Sequence, residues 1–184
     1  TFAVLYAGAH GHANALENVI EAARLLEHRN SPVRFQFIGD GPEKQALIQL
    51  AAGLKTVVFN DPVPKAEIPA RMAQADAILL SLRDVPLFRY GVSPNKLYDA
   101  YAIGRPVITT VAGSINAEVE THRLGVTAEP GDPQALADAI LRLAQTPRAE
   151  REAMAARATQ LASSTYSRQR INAEYNRLLR EVIA

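Results

Sequence analysis

Short, nearly continuous apolar runs alternate along the chain with longer stretches whose apolar residues recur at helical spacing. The runs Ala3–Ala7, Val33–Ile38, Thr56–Phe59, Ala77–Ser81, Pro106–Thr110 and Val126–Ala128 read as strands. They do not alternate strictly between apolar and polar, which predicts a parallel sheet covered on both faces; a strand with one wet face would carry a polar residue at every second position. Between the strands, Leu16, Val19, Ile20, Ala23 and Leu26 make one helical stripe. Leu136, Ile140 and Leu143 make a second, and Ile171, Tyr175, Leu178 and Leu179 a third. Proline marks the helix starts. Gly41-Pro42, Ser93-Pro94, Asp132-Pro133 and Thr146-Pro147 each pair a capping residue with proline at the first helical position, where the ring's fixed φ fits and its missing N–H is not wanted. Pro69 after Ile68 reads the same way. Strand and helix alternate throughout, and from Asp132 onward the pattern is all helix. This is an α/β chain with a doubly wound parallel sheet of about six strands.

In such sheets ligands bind beyond the C-terminal ends of the strands, where the strand order reverses, so the loops after strands are where chemistry is expected. Gly8-Ala9-His10-Gly11 follows the first strand and precedes a helix, a place where glycine lets a ligand approach the backbone and free N–H groups favour phosphate. His10 is expected to face the cleft and His12 the solvent. Gly39-Asp40-Gly41-Pro42-Glu43-Lys44 follows the second strand with the same logic. Gly39 and Gly41 are read as giving a ligand access to the backbone, Asp40 as a turn cap, and Lys44 as a cation one turn into the helix. Val63 follows the third strand, where a flat base could lie on exposed backbone. Gly104 reads as a helix C-cap.

The most informative stretch is Gly91-Val92-Ser93-Pro94-Asn95-Lys96-Leu97-Tyr98-Asp99. It opens a helix at Ser93-Pro94, so Ser93, Pro94, Asn95 and the first N–H groups stand ready for an anion. Lys96 and Asp99 are three apart and share a face, while Leu97, Ala100 and Tyr101 point to the core. A helix end contributes about 0.3–1 kcal/mol to a bound anion. A lysine about 4 Å from a phosphate contributes roughly 4 kcal/mol at an effective dielectric near 20, before desolvation. Lys96 should therefore dominate and the helix end should orient. The competing plain reading is a surface Lys96–Asp99 pair worth about 0.2–0.5 kcal/mol.

Composition narrows the field. Of 184 residues, 48% are hydrophobic and 21% charged, which excludes wholesale disorder. With no cysteine, a disulfide scaffold, a thiolate metal site and a cysteine nucleophile are excluded; this also fits a cytoplasmic location. The formal net charge of +1 marks no nucleic-acid binder. No apolar run reaches the roughly 18 residues that span a bilayer, and no signal peptide is read at the start. The chain begins inside its first strand and is expected to be one domain, residues 1–184, of something longer. The stretch 148–184 holds seven arginines against four glutamates. That basic excess reads as a solvated face, with attraction to an anionic membrane surface the lesser alternative. No Walker loop, H-E-x-x-H or Ser/His/Asp pattern occurs.

Taken together, Tyr6-Ala7-Gly8, Phe37-Ile38-Gly39-Asp40-Gly41-Pro42-Glu43-Lys44, Ser93-Pro94-Asn95-Lys96-Leu97-Tyr98-Asp99-Ala100 and Gly104-Arg105-Pro106-Val107-Ile108 resemble, in order and spacing, the C-terminal half of group 1 glycosyltransferases of family 4. Ala75-Asp76-Ala77 and Glu129-Pro130-Gly131-Asp132-Pro133 also fit. The run Ser93–Asp99 is similar to the branch that includes aminosugar transferases of bacterial surface polysaccharide synthesis. The resemblance implies one Rossmann-like half of a GT-B enzyme. That half binds a nucleotide-sugar donor, usually UDP- or GDP-linked, and the reaction retains anomeric configuration without metal or other cofactor. An N-terminal acceptor domain is then absent from this chain, the terminal helix 166–184 crosses to it, and the fragment alone is expected to be inactive. Peripheral association of the full protein with the cytoplasmic face of a membrane also belongs to that picture. Lys96 would stabilise the leaving diphosphate, as preorganised donors do. This chain departs from the family at two glutamates eight positions apart, where it has Gly91 and Asp99. It departs again at cations after the first strand, where it has Ala9 and Asn14. The other readings are half of a nucleotide-sugar epimerase, which the Ser93–Asp99 and Gly104–Val107 spacing disfavours, and a nucleotide-binding module without catalysis, which Gly91, Ala9 and Asn14 prompt. A dinucleotide domain lacks its G-x-G-x-x-G fingerprint.

Overall fold

The computed structural model describes residues 1–183. Six strands, β1 (Phe2–Ala7), β2 (Val33–Ile38), β3 (Val57–Asn60), β4 (Ala77–Ser81), β5 (Val107–Thr110) and β6 (Gly125–Thr127), form one all-parallel sheet in the order β3-β2-β1-β4-β5-β6. The expected strands are all present, with no end displaced by more than one residue. The order reverses between β1 and β4, where Val4 pairs with Ala77 and Leu5 with Ile78. That is the crevice in which doubly wound sheets bind ligands.

Successive side chains of a strand face opposite ways, and the continuous apolar runs fill both sides. Val4, Tyr6, Phe35, Phe37, Leu79 and Ile108 pack in one core with α1 (Leu16–His28), α2 (Lys44–Leu50) and α7 (Pro133–Gln145). Leu5, Ile38, Ile78, Leu80 and Val107 pack in the other with α3 (Ile68–Gln74), α5 (Asn95–Ile103), α6 (Ser114–Thr121) and α8 (Arg148–Ser164). The stripes foreseen on α1 and α7 are buried residue for residue. A short α4 (Pro86–Tyr90) follows β4, and α9 (Arg168–Ile183) ends the chain. The α9 stripe is helical as expected but lies uncovered, with Tyr175 62% and Ile171 51% exposed. Residue 184 of the expected 166–184 segment lies outside the described residues.

Asp132 caps α7 as read from sequence, accepting the Ala135 N–H at 2.9 Å. Three other starts are corrected. Pro94 rather than Ser93 is the cap of α5, because its carbonyl accepts the first helical bond, from the Leu97 N–H at 3.0 Å. Pro147 displaces Thr146 at α8 in the same manner, accepting from Glu150 and Arg151 at 3.0 and 3.1 Å. The start of α2 moves to Lys44, since Gly41 and Pro42 are spent in a turn over His10. Gly104 is left-handed at φ 69° and caps α5, the expected role.

Candidate functional site

The loops after β1 and β2 lie directly on one another at the crevice. The Gly8 N–H donates to Ile38 O at 2.9 Å, the His10 N–H to Asp40 O at 2.8 Å, and the Glu43 N–H to His10 O at 3.0 Å. A Cβ on Gly39 would stand 2.0 Å from Gly8 O, and one on Gly41 would stand 2.5 Å from His10 O. These two glycines are thus required by backbone-on-backbone packing. The reading that they bare their backbone to a ligand is corrected, because the partner they admit is the β1 loop itself.

His10 is also corrected. Its side chain is wholly buried rather than facing the cleft. The ring stacks on Tyr6 at 5.9 Å between centroids and meets Phe37 and Phe59 edge-on at 6.3 and 5.9 Å. Neither ring nitrogen has a hydrogen-bond partner among the described residues. Burial, aided by Lys44, pushes its pKa below the usual 6.5. Lys44 is buried as well and turns away from the cleft: its Nζ donates to Asp61 Oδ1 at 3.0 Å and to Asn60 O at 3.3 Å. Val63 is half-buried against the core of Leu5, Ile38 and Ile78 and is not part of the cavity wall. The Ser93 hydroxyl is exposed and donates to the Tyr98 hydroxyl at 3.2 Å. Gly11 stays in the β1 loop, where a Cβ would make an ordinary contact with Asn14 Nδ2 at 3.8 Å.

A cavity of about 570 Å³ opens beside Gly8, within the range usual for small-molecule sites. Lys96, Asp99, Pro94 and Asn95 form the α5 wall, with Ala102 and Ile103 toward its C-terminal end. Lys65, Ile68, Pro69 and Met72 form the facing wall, and Ala7, Gly8 and Ile78 lie at the strand ends. Lys96 reaches inward: its Nζ lies 4.0 Å from the centre of the Tyr6 ring, and a Cβ on Gly8 would come within 2.8 Å of that nitrogen. Among the described residues it has no carboxylate partner, so the surface pair with Asp99 is not formed. Burial lowers the Lys96 pKa from 10.5 to about 8, as expected when a cation is desolvated without a counter-ion. Asp99 is exposed one turn further on.

Of the residues singled out from sequence, the fold brings Gly8, Pro94, Asn95, Lys96 and Asp99 together around one space. It sets His10, Lys44, Val63, Gly39 and Gly41 behind or beside it. Sequence reading missed the α3 wall. Met72 and Ile68 showed only as generic helix apolars, and nothing local distinguishes Lys65 from a surface lysine. Also missed was Arg83, just past β4. Its Nη2 donates to Glu17 Oε1 at 2.5 Å, its Nε to His12 O at 3.1 Å, and its backbone N–H to Ala13 O at 2.8 Å. Its place after a strand at the crevice was the available signal. Among the described residues no group of three or more His, Asp or Glu stands together as a metal site, and no helix is long and apolar enough to cross a membrane.

An unpaired, half-sequestered ammonium at one end of a largely apolar cavity suits a ligand with an anionic end and a flat or apolar end. The α5 N-terminus adds partial positive charge on the same side. Fold and site together define a doubly wound α/β domain with a lysine-bearing cleft at its switch point. The chain matches the description "Glycosyl transferases group 1" over residues 1–146 and belongs to that family. It is 35% identical over 133 residues to the amylovoran biosynthesis glycosyltransferase AmsK of Erwinia amylovora, covering 68% of this chain and 32% of that protein. Among solved structures, Anabaena Alr3699/HepE in complex with UDP superposes with a TM-score of 0.82 at 22% identity, covering 98% of this chain and 49% of that one. The C-terminal domain of the group 1 glycosyl transferase LpcC from Francisella tularensis gives 0.72 at 22% identity, covering 91% and 87%. The six-stranded parallel sheet is that of a GT-B Rossmann-like domain. The chain spans 42% of the length of the first curated relatives it matches.

Proposed function

We propose that this chain is the donor-binding domain of a retaining glycosyltransferase that takes a sugar from a UDP-linked donor and passes it to a polysaccharide or lipid-linked acceptor. The observation that carries the reading is the Lys96 ammonium, held without a counter-ion against Tyr6 and Gly8 at the mouth of the cavity. The diphosphate lies at this end, and the nucleoside extends between the α3 and α5 walls with its ribose hydroxyls at Asp99. As the glycosidic bond breaks, negative charge collects on the departing diphosphate, and Lys96 with the α5 N-terminus stabilises it without a metal. The acceptor site belongs to an N-terminal domain that the full protein supplies, and no transfer is expected from this chain alone. The UDP complex of HepE and the similarity to the amylovoran biosynthesis glycosyltransferase AmsK support this reading.

A thermal-shift screen against UDP, GDP, CMP and NAD tests it, since a ligand specific for the folded state raises the melting temperature by mass action. UDP is expected to give the largest rise. A folded sample that responds to none of them refutes the donor-binding reading. A catalytically silent binding module would bind UDP equally well, and sugar transfer by the full-length protein to a lipid-linked acceptor excludes it.

A further inference from the structure

Arg83 lies outside the cavity wall, yet it is tied to the segment that forms part of that wall. It stands two residues past β4, the strand next to β1. From there its Nε reaches His12 O at 3.1 Å, its Nη2 reaches Glu17 Oε1 at 2.5 Å, and Nη2 lies 3.4 Å from His12 Nδ1. Its own backbone N–H donates to Ala13 O at 2.8 Å. The β1 loop is therefore moored on two sides: to the β2 turn through His10, and to the β4 turn through Arg83. Internal ties, from Tyr6 Oη and Asn14 Nδ2 to Ala9 O at 2.7 and 3.0 Å, close the loop on itself. The loop ends at Ala15, held left-handed at φ 46°, a conformation an alanine keeps only when its surroundings impose it. The other end is Gly8, where a Cβ would stand 2.8 Å from Lys96 Nζ and push that ammonium aside.

We propose that Arg83 is a positioning residue for the diphosphate of the donor. By fixing His12, Ala13 and Glu17 it holds the Gly8 backbone and the Lys96 ammonium on the same side of the ligand. This rests on the donor-binding reading above. Loosening the loop opens the cavity at its Gly8 end, where the diphosphate sits, and leaves the α3 wall unmoved. The loss should therefore scale with phosphate. A planar guanidinium fork holds its acceptors in a fixed geometry from two different nitrogens, whereas an ammonium donates from a single point on a flexible stem.

Calorimetric titration of UDP and uridine into wild type, Arg83→Met and Arg83→Lys tests this, with Glu17→Gln cutting the same tie from its other end. Arg83→Met should weaken UDP about tenfold or more, as misplaced positioning groups do, and leave uridine within about twofold. Arg83→Lys should recover part of the loss, and Glu17→Gln should reproduce it. Amides of residues 8–14 should exchange faster in both disrupted variants. An equal loss for UDP and uridine, or no loss in the disrupted variants, overturns the proposal. If wild type binds no UDP, the donor-binding reading fails first and takes this one with it. If Arg83→Met does not fold, Glu17→Gln decides by the same criteria.

Discussion

Replacing Lys96 by methionine should make the protein more stable and less able to bind nucleotide. Methionine keeps the unbranched stem that lies along Tyr6 and Gly8 and removes only the charge. In the folded protein the ammonium is desolvated without a partner, and its pKa falls from 10.5 to about 8. A displacement of that size corresponds to about 3 kcal/mol of preference for the neutral form. The contact with the Tyr6 ring is worth about 0.5–2 kcal/mol and is lost with the charge, so a net gain of about 1–2 kcal/mol is expected at pH 7. For a chain of this length that raises Tm by about 2–8 °C. The pH dependence has a definite sign. Between about pH 8 and 10.5 the unfolded state binds more protons than the folded state, so the wild type gains stability as pH rises through that window. The destabilising contribution is fully present below it, and the gap between Lys96→Met and wild type should close as pH climbs. Nucleotide should reverse the shift. A diphosphate restores a counter-ion, so UDP binding near pH 8.5 should take up a proton, seen as heat that varies with the ionisation enthalpy of the buffer. The variant should bind UDP about 30- to 1,000-fold more weakly, equivalent to about 2–4 kcal/mol. A Lys96→Met protein that is less stable than wild type across this range, with unchanged UDP affinity, would refute the reasoning.

Further expectations concern the frame around the site. Gly39→Ala should cost about 3 kcal/mol or more, since its Cβ would stand 2.0 Å from Gly8 O at a φ of +143°; urea unfolding with an unchanged midpoint would contradict this. His10 titrates below its unfolded-state value of 6.5, so its contribution is complete above that pH and is lost as pH falls beneath it. His10→Phe, in a pocket of Tyr6, Phe37 and Phe59, should flatten the stability profile below about pH 6.5, and an unchanged slope counts against the assignment. Glu118 accepts hydrogen bonds from Tyr101 Oη at 3.0 Å and from Tyr166 Oη. Glu118→Leu should destabilise by about 1–3 kcal/mol through two stranded phenols, measured by chemical denaturation.

Lys96 could be read from sequence because everything that identifies it is local: a strand, a loop, a proline-marked helix start and a lysine on the first turn. The strands and the buried stripes of α1 and α7 were legible for the same reason, since short continuous apolar runs and a 3.6-residue period are written along the chain. Gly39 and Gly41 were recognised as special, yet their use was misjudged. A glycine shows that a Cβ is unwelcome, and only the neighbouring backbone of Gly8 and His10 shows what takes its place. His10 and Lys44 look like loop and helix-end polar groups until the two turns close over them. Lys65 and Met72 carried no local mark, and Arg83 only its place after a strand, because each matters through a partner brought near by the sheet order.

By itself the sequence determined an alternating α/β domain with its chemistry after the strands, and it supplied the motifs that place the chain in its family. Those properties follow from short-range periodicity, capping and turn chemistry, which a few consecutive residues suffice to encode. Tertiary structure alone decided which loops meet at the β1–β4 crevice, which polar side chains are sealed beneath them, and that Lys96 faces a cavity without a counter-ion. Burial and electrostatic environment depend on atoms distant in the chain, and they exist only once the sheet has set those atoms side by side.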